Sequence, residues 1–380
     1  MRSVFTRLLI VAAALAVALL AAEALLRLLD LAPTSSVVTV NARQFERIPG
    51  IFAPNQRLVD NRLPELPHRV SIDSLGFRGA HFPRRKPPGE LRVVMAGDSF
   101  TYGDGVHDWQ TIPAYLERAL RGSCPQVRVI NAGLPGAAVL DELEMIRRAL
   151  PLEPDVIVLL FTENDETQMA EDSYWEGLAA NRAAKSRFPL SVAYPMLRRT
   201  ALWNLALEVR ARLRARQTQA AVAPAVEATP ARTPAAPTAP GPGWTDGDSA
   251  ADSSDAKDDP RAMLRSAYLE ALHTVRDSLA RFESDFVFAS FPMHTTIADS
   301  TRQEDAAWAV RGARTLGINA IDLTPVLAAT RLPAESLYLL PHDGHASAQG
   351  NAVAAASLAA HLIEHAPALG RCVRPAAKIN

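Results

Sequence analysis

From Leu91 onward the chain alternates short unbroken apolar runs with longer stretches whose apolar residues recur at helical spacing. The runs are "RVVMA" (92–96), "VRVIN" (127–131), "DVIVLLF" (155–161), "DFVFASF" (285–291) and "INAIDL" (318–323), all rich in Val and Ile. Continuous apolarity without strict polar alternation is the pattern of strands buried on both faces. Helical patterns fall at about 108–121, 138–149, 262–283, 302–316 and 347–365. Alternation of strand and helix predicts a parallel sheet with helices on both faces. Ligands of such sheets sit at the carboxyl ends of the strands.

Ahead of this region the pattern changes twice. Arg2 and Arg7 precede an uncharged apolar run from Leu8 to Ala22, and after Glu23 the apolar character resumes through Leu29. As one helix, Leu8 to Leu29 would reach roughly 33 Å and could span a bilayer. The expectation is a single-pass anchor over residues 8–29, with the N-terminus in the cytoplasm and everything after Asp30 outside it. The alternative is a cleaved signal peptide, for which Ala22-Glu23-Ala24 would serve as a small-x-small site.

The chain therefore divides into an anchor (1–30), a Pro-rich irregular approach segment (31–90) and a domain in two parts (91–216 and 261–380). Between those parts, residues 217–260 are Ala, Pro and Thr followed by Asp and Ser. This composition cannot bury enough apolar surface to offset ordering, so a disordered insertion is predicted. Just before it, Pro189 to Arg216 reads as an Arg-rich helix. It either lies on an anionic membrane surface or, the favoured reading, caps the domain with its charges in water.

Composition narrows the classes. The 380 residues are 48% apolar, with a formal net charge of -1, enough for one large or two modest domains with a core. A balance this near zero offers no electrostatic case for nucleic acid. Only two cysteines occur, Cys124 and Cys372, which excludes metal sites of the Cys-x-x-Cys kind.

Chemistry gathers at the expected strand ends. Gly97-Asp98-Ser99 follows the first run, "NAGLPG" (131–136) the second and "FTEND" (161–165) the third, while "DGH" (343–345) precedes the last helix. A hydroxyl needs a base to become a nucleophile, and an imidazole needs an acid to fix its tautomer. Charge developing on oxygen needs aligned donors, which a glycine N–H and an asparagine amide can supply. Asp98 and Asp165 are expected to make turn and loop hydrogen bonds to backbone rather than metal contacts.

The order Gly-Asp-Ser, Gly, Asn-Asp, Asp-x-His resembles the SGNH (GDSL) hydrolase family. More narrowly, "LGFRG", "GDSFTYGDGV", "NAGLPG" and "DGHASAQG" resemble its membrane-anchored bacterial members. The match covers roughly residues 70–365 apart from the insertion. It implies a flavodoxin-like three-layer α/β/α sandwich with a five-stranded parallel sheet, here preceded by the transmembrane helix. It further implies Ser99 as nucleophile, His345 as general base and then acid, and Asp343 as the group that orients it. The oxyanion donors would be the N–H groups of Ser99 and Gly136 and the side chain of Asn164.

Two positions depart from the family pattern. Thr162 stands where the third block usually has Gly and would narrow the pocket by a side chain. The acid lies two residues before the histidine, where many members have three, a spacing similar to that of polysaccharide O-acetyltransferases. His294, after the fourth strand, is a candidate for lining the substrate site.

The activity implied is a serine esterase acting on an ester-bearing small molecule, lipid or glycan, with no metal or organic cofactor. Alternatives are an O-acyl(acetyl)transferase acting on an envelope glycan and a catalytically inactive envelope binding module. The location implied is the bacterial inner membrane with the catalytic domain in the periplasm, or the soluble periplasm after cleavage. In the implied fold the first and last helices pack side by side, so Cys124 and Cys372 reach one corner and are a candidate disulfide.

Overall fold

The computed structural model describes residues 2–29, 48–60, 65–168, 187–197, 200–203, 205–206, 209–210 and 260–370. Two compact units emerge, Met1–Ala32 with Ala201–Met263, and Pro33–Thr200 with Leu264–Asn380. In the first, helix α1 (Arg2–Leu28) contains a stretch, Val4–Leu28, long and apolar enough to cross a membrane by length and composition. Its one internal acid, Glu23, accepts hydrogen bonds from the N–H groups of Ala201 (2.8 Å) and Leu202 (3.0 Å). The predicted insertion lies outside the described residues up to position 259. Much of the Arg-rich stretch 189–216 does so too.

The second unit holds a sheet of five parallel strands in the order β4-β3-β5-β6-β7. These are β3 (Leu91–Gly97), β4 (Val127–Gly133), β5 (Val156–Thr162), β6 (Asp285–Phe291) and β7 (Asn319–Asp322). Each matches a predicted run to within two residues. Their unbroken apolarity has a direct cause, because successive side chains of a strand point to opposite faces. On β5, Ile157, Leu159 and Phe161 join one apolar cluster, and Val156, Val158 and Leu160 join the other.

Helices α4 (Val139–Ala149), α6 (Pro260–Leu279) and α8 (Trp308–Thr315) contribute to the first cluster; α3 (Ile112–Arg121) and α9 (Ala348–His365) contribute to the second. The result is the expected three-layer α/β/α arrangement. Two short helices, α2 (Ser99–Tyr102) and α5 (Asn164–Gln168), follow β3 and β5 directly.

Two expectations change. The approach segment is not wholly irregular: β1 (Arg57–Asp60) and β2 (His68–Ser71) pair antiparallel. Strands of four residues amid prolines are specified by their pairing and by the core beneath Leu58 and Val70, not by local pattern. The helix expected at 302–316 is instead α7 (Ser300–Ala306) and α8, with Ala307 between them.

Candidate active site

Ser99 owes its position to two close backbone approaches. A Cβ on Gly97 would lie 2.2 Å from Thr101 Oγ1, and one on Gly133 would lie 2.1 Å from the Tyr102 nitrogen. Glycine at both positions therefore lets α2 rest directly on the ends of β3 and β4. Asp98 caps α2, its Oδ1 accepting from the Phe100 N–H at 2.8 Å. Ser99 is the first residue of α2, where backbone N–H groups have no intrahelical acceptor.

The turn before α9 brings His345 to it. Asp343 Oδ1 accepts from the His345 backbone N–H (2.8 Å) and from its Nδ1 (2.5 Å). His345 Nε2 lies 2.7 Å from Ser99 Oγ, so residues distant in sequence form one hydrogen-bonded chain. The Phe100 ring packs 4.9 Å from the imidazole. Burial opposes charge on His345, but the Asp343 hydrogen bond and the charges of Asp104, Asp343 and Asp98 outweigh it and raise the imidazole to about 9.

Beside Ser99 an amide is held at both ends. Asn164 Nδ2 donates to Asp98 Oδ2 at 2.8 Å. The Thr162 hydroxyl contacts Asp98 Oδ2 at 2.9 Å and also meets Asn164 Oδ1. This arrangement distinguishes nitrogen from oxygen and prevents the amide from turning over. Thr162 is fully buried, so its side chain does not narrow the pocket as expected; it clasps Asn164. Asp98 makes the expected backbone bond and also serves two side chains. Asp165 does bond backbone, accepting from the Thr162 N–H at 2.8 Å.

Gly136 lies exposed in the turn after β4 with φ +76°. His294 sits against the backbone of Gly344, between Asp343 and His345, where an added Cβ would lie 3.4 Å from its ring. Among the described residues no cluster of His, Cys, Asp or Glu could hold a metal. Cys124 is buried, its sulfur 3.9 Å from the carbonyl oxygen of Leu369. Cys372 lies outside the described residues.

Sequence reasoning missed three contributors. Arg78, buried in the "LGFRG" stretch, donates to the carbonyls of Tyr102, Gly103 and Val106 at 2.6–3.0 Å and to Asp108 at 3.0 Å. It straps down the loop that follows Ser99 and α2. Glu163 accepts from the Met293 N–H (3.1 Å) and the Thr296 hydroxyl (2.5 Å), fixing the turn that carries His294. Glu142 is fully buried behind the site; burial first, then the charges of Asp165, Asp98 and Asp141, push its carboxyl well above the usual range. The motif "LGFRG" was a signal for the first; nothing local marked the other two.

No curated protein matches the chain. Solved structures similar to it include a lipase/acylhydrolase from Enterococcus faecalis (15% identity, TM-score 0.37, covering 74% of this chain and 96% of that one). Another is an acetylxylan esterase from Geobacillus stearothermophilus (10%, TM-score 0.37, 74% and 94%). A third is a two-domain esterase active on acetylated mannans (13%, TM-score 0.39, 72% and 49%). Residues 95–353, well over half of the chain and spanning Ser99 to His345, match the GDSL-like Lipase/Acylhydrolase family. The chain belongs to that family and is a GDSL-type hydrolase of ester bonds.

Proposed function

We propose that the protein is a serine esterase of the cell envelope, held at the membrane by α1, that cleaves carboxylic esters through an acyl-enzyme at Ser99. The observation that carries this reading is the chain Asp343–His345–Ser99, with contacts of 2.5 and 2.7 Å. With His345 neutral, its Nε2 takes the proton of Ser99 as Oγ bonds to the acyl carbon. The oxyanion that forms is met by the N–H groups of Ser99 and Gly136 and by the Asn164 amide. Collapse breaks the bond to the alcohol oxygen, which leaves with the proton from His345. Water then repeats the sequence and releases the acid, while Asp343 stays ionised and orients the ring.

Full-length protein should hydrolyse short p-nitrophenyl esters and be labelled by a fluorophosphonate. Ser99→Ala should lose both, and undiminished labelling of that variant would show another nucleophile. Asn164→Ala should still label but turn over slowly, since one oxyanion donor is worth roughly 2.7–4 kcal/mol. The two-residue spacing of Asp343 and His345 supports a second reading, acyl transfer to an envelope glycan. An acylated sugar formed when a carbohydrate acceptor is added to the same assay would favour transfer.

A further inference from the structure

A groove of about 1250 Å³ runs along the outer edge of the sheet, and Ser99, Asp343 and His345 are not among its lining residues. Its floor is the edge strand β4, one wall is the β1–β2 ribbon and the other is α3. In the ribbon's register Val59 faces Arg69 and Arg57 faces Ser71, which places both arginines on the same exposed face.

Six arginines line the groove against three acids, in a chain whose formal net charge is -1. The acids are already engaged. Asp73 accepts from the N–H groups of Leu75 and Phe77, and Asp108 from Arg78. Glu117 holds Arg121, Arg128 and the Val129 N–H. Arg57 and Arg69 have no carboxylate partner among the described residues. The buried Nε of Arg128 has no hydrogen-bond partner there either, an unmet donor in the groove floor.

An aromatic face completes the site. Trp109 is 49% exposed and stacks on His107 at 4.5 Å and 13°. His107 Nδ1 accepts from the Arg69 N–H at 2.8 Å, and the Trp109 carbonyl accepts from Arg118 at 2.7 Å. The indole is therefore tied to both walls and presents a rigid apolar plane.

We propose that this groove binds an acidic glycan, a sugar chain bearing carboxylates, and so names the kind of ester-bearing substrate; in this it rests on the esterase reading. Guanidinium forks match carboxylates in geometry, and an exposed indole plane suits the C–H face of a sugar ring. The loop that Arg78 straps down leads from Ser99 to Trp109, so the chain itself connects the groove to the proposed nucleophile. Single-stranded nucleic acid is the poorer fit, since it asks for several aromatic platforms along a basic track. A lipid surface would meet a concave wall.

The test is calorimetric titration of the full chain in neutral detergent with oligogalacturonate. Neutral mannan oligosaccharide, an oligothymidylate and dioctanoyl phosphatidylglycerol are titrated in parallel. Saturable binding of oligogalacturonate that weakens with salt is expected, stronger than that of the other three. Arg57→Ser with Arg69→Ser, and separately Trp109→Ala, should weaken it at least tenfold while leaving p-nitrophenyl acetate turnover unchanged, which also reports that the variants fold. Absence of saturable binding, indifference to these variants, or tighter binding of the oligonucleotide or the lipid would overturn the proposal. Wild-type binding without any ester turnover would instead sink the esterase reading and leave the groove intact.

Discussion

At Thr162 a single hydroxyl governs how Asn164 presents its amide. It faces Asn164 Oδ1 and Asp98 Oδ2 together, while Asn164 Nδ2 donates to Asp98 Oδ2. Thr162→Val keeps the volume and removes the clasp. It should lower kcat about tenfold, a barrier increase near 1.4 kcal/mol, with KM little changed, whereas Thr162→Ser should restore kcat. A rise in KM at constant kcat would argue for a role in substrate binding. Asp104 acts on the other partner, as one of the charges that raise His345 to about 9. Only the neutral imidazole can accept the Ser99 proton, so kcat/KM should climb through the alkaline range. Asp104→Asn removes one stabilising charge, lowers that pKa and should move the rising limb to lower pH. The pH–rate profile with a short ester reads this directly, and an unmoved limb would count against the assignment.

Among the elements, the loop from Tyr102 to Val106 depends most on a partner far away in sequence. Its carbonyls cannot all bond one another, and Arg78 satisfies three of them while stacking 4.6 Å from the Tyr102 ring. Arg78→Met would leave those acceptors and Asp108 without their charged donor in a buried place. A cost of about 3–5 kcal/mol is expected, read as a lowered urea midpoint, together with loss of turnover because Gly103 and Asp104 bond back to the Ser99 carbonyl. A variant as stable as the parent would show that water substitutes for the strap. The β1–β2 ribbon shows the same dependence at lower density. Its outward arginines become meaningful only once β4 and α3 stand opposite them.

For the whole molecule, one long apolar helix accompanies an ester hydrolase unit. If α1 is an anchor, the full chain should sediment with membranes, resist an alkaline carbonate wash and retain Met1 to Leu29. N-terminal sequencing that begins near Leu25 would identify a cleaved signal peptide instead.

The strands of the sheet and the order of the chemical motifs were readable from the chain because each rests on local information. A strand buried on both faces must be apolar throughout, as Val156–Thr162 is, and Gly-Asp-Ser, Asn-Asp and Asp-x-His keep their spacing wherever they fold. The length and charge flanks of the N-terminal apolar helix were readable for the same reason. What side chains do across the fold was not. Thr162 in a pattern reads equally well as a pocket wall or a clasp, and only its burial against Asp98 decides. Arg78 and Glu142 look like ordinary charged residues until packing removes them from water and assigns the partners they must have or lack. The basic groove is hidden most completely, since a net charge of -1 averages over the molecule what tertiary contact separates onto one edge.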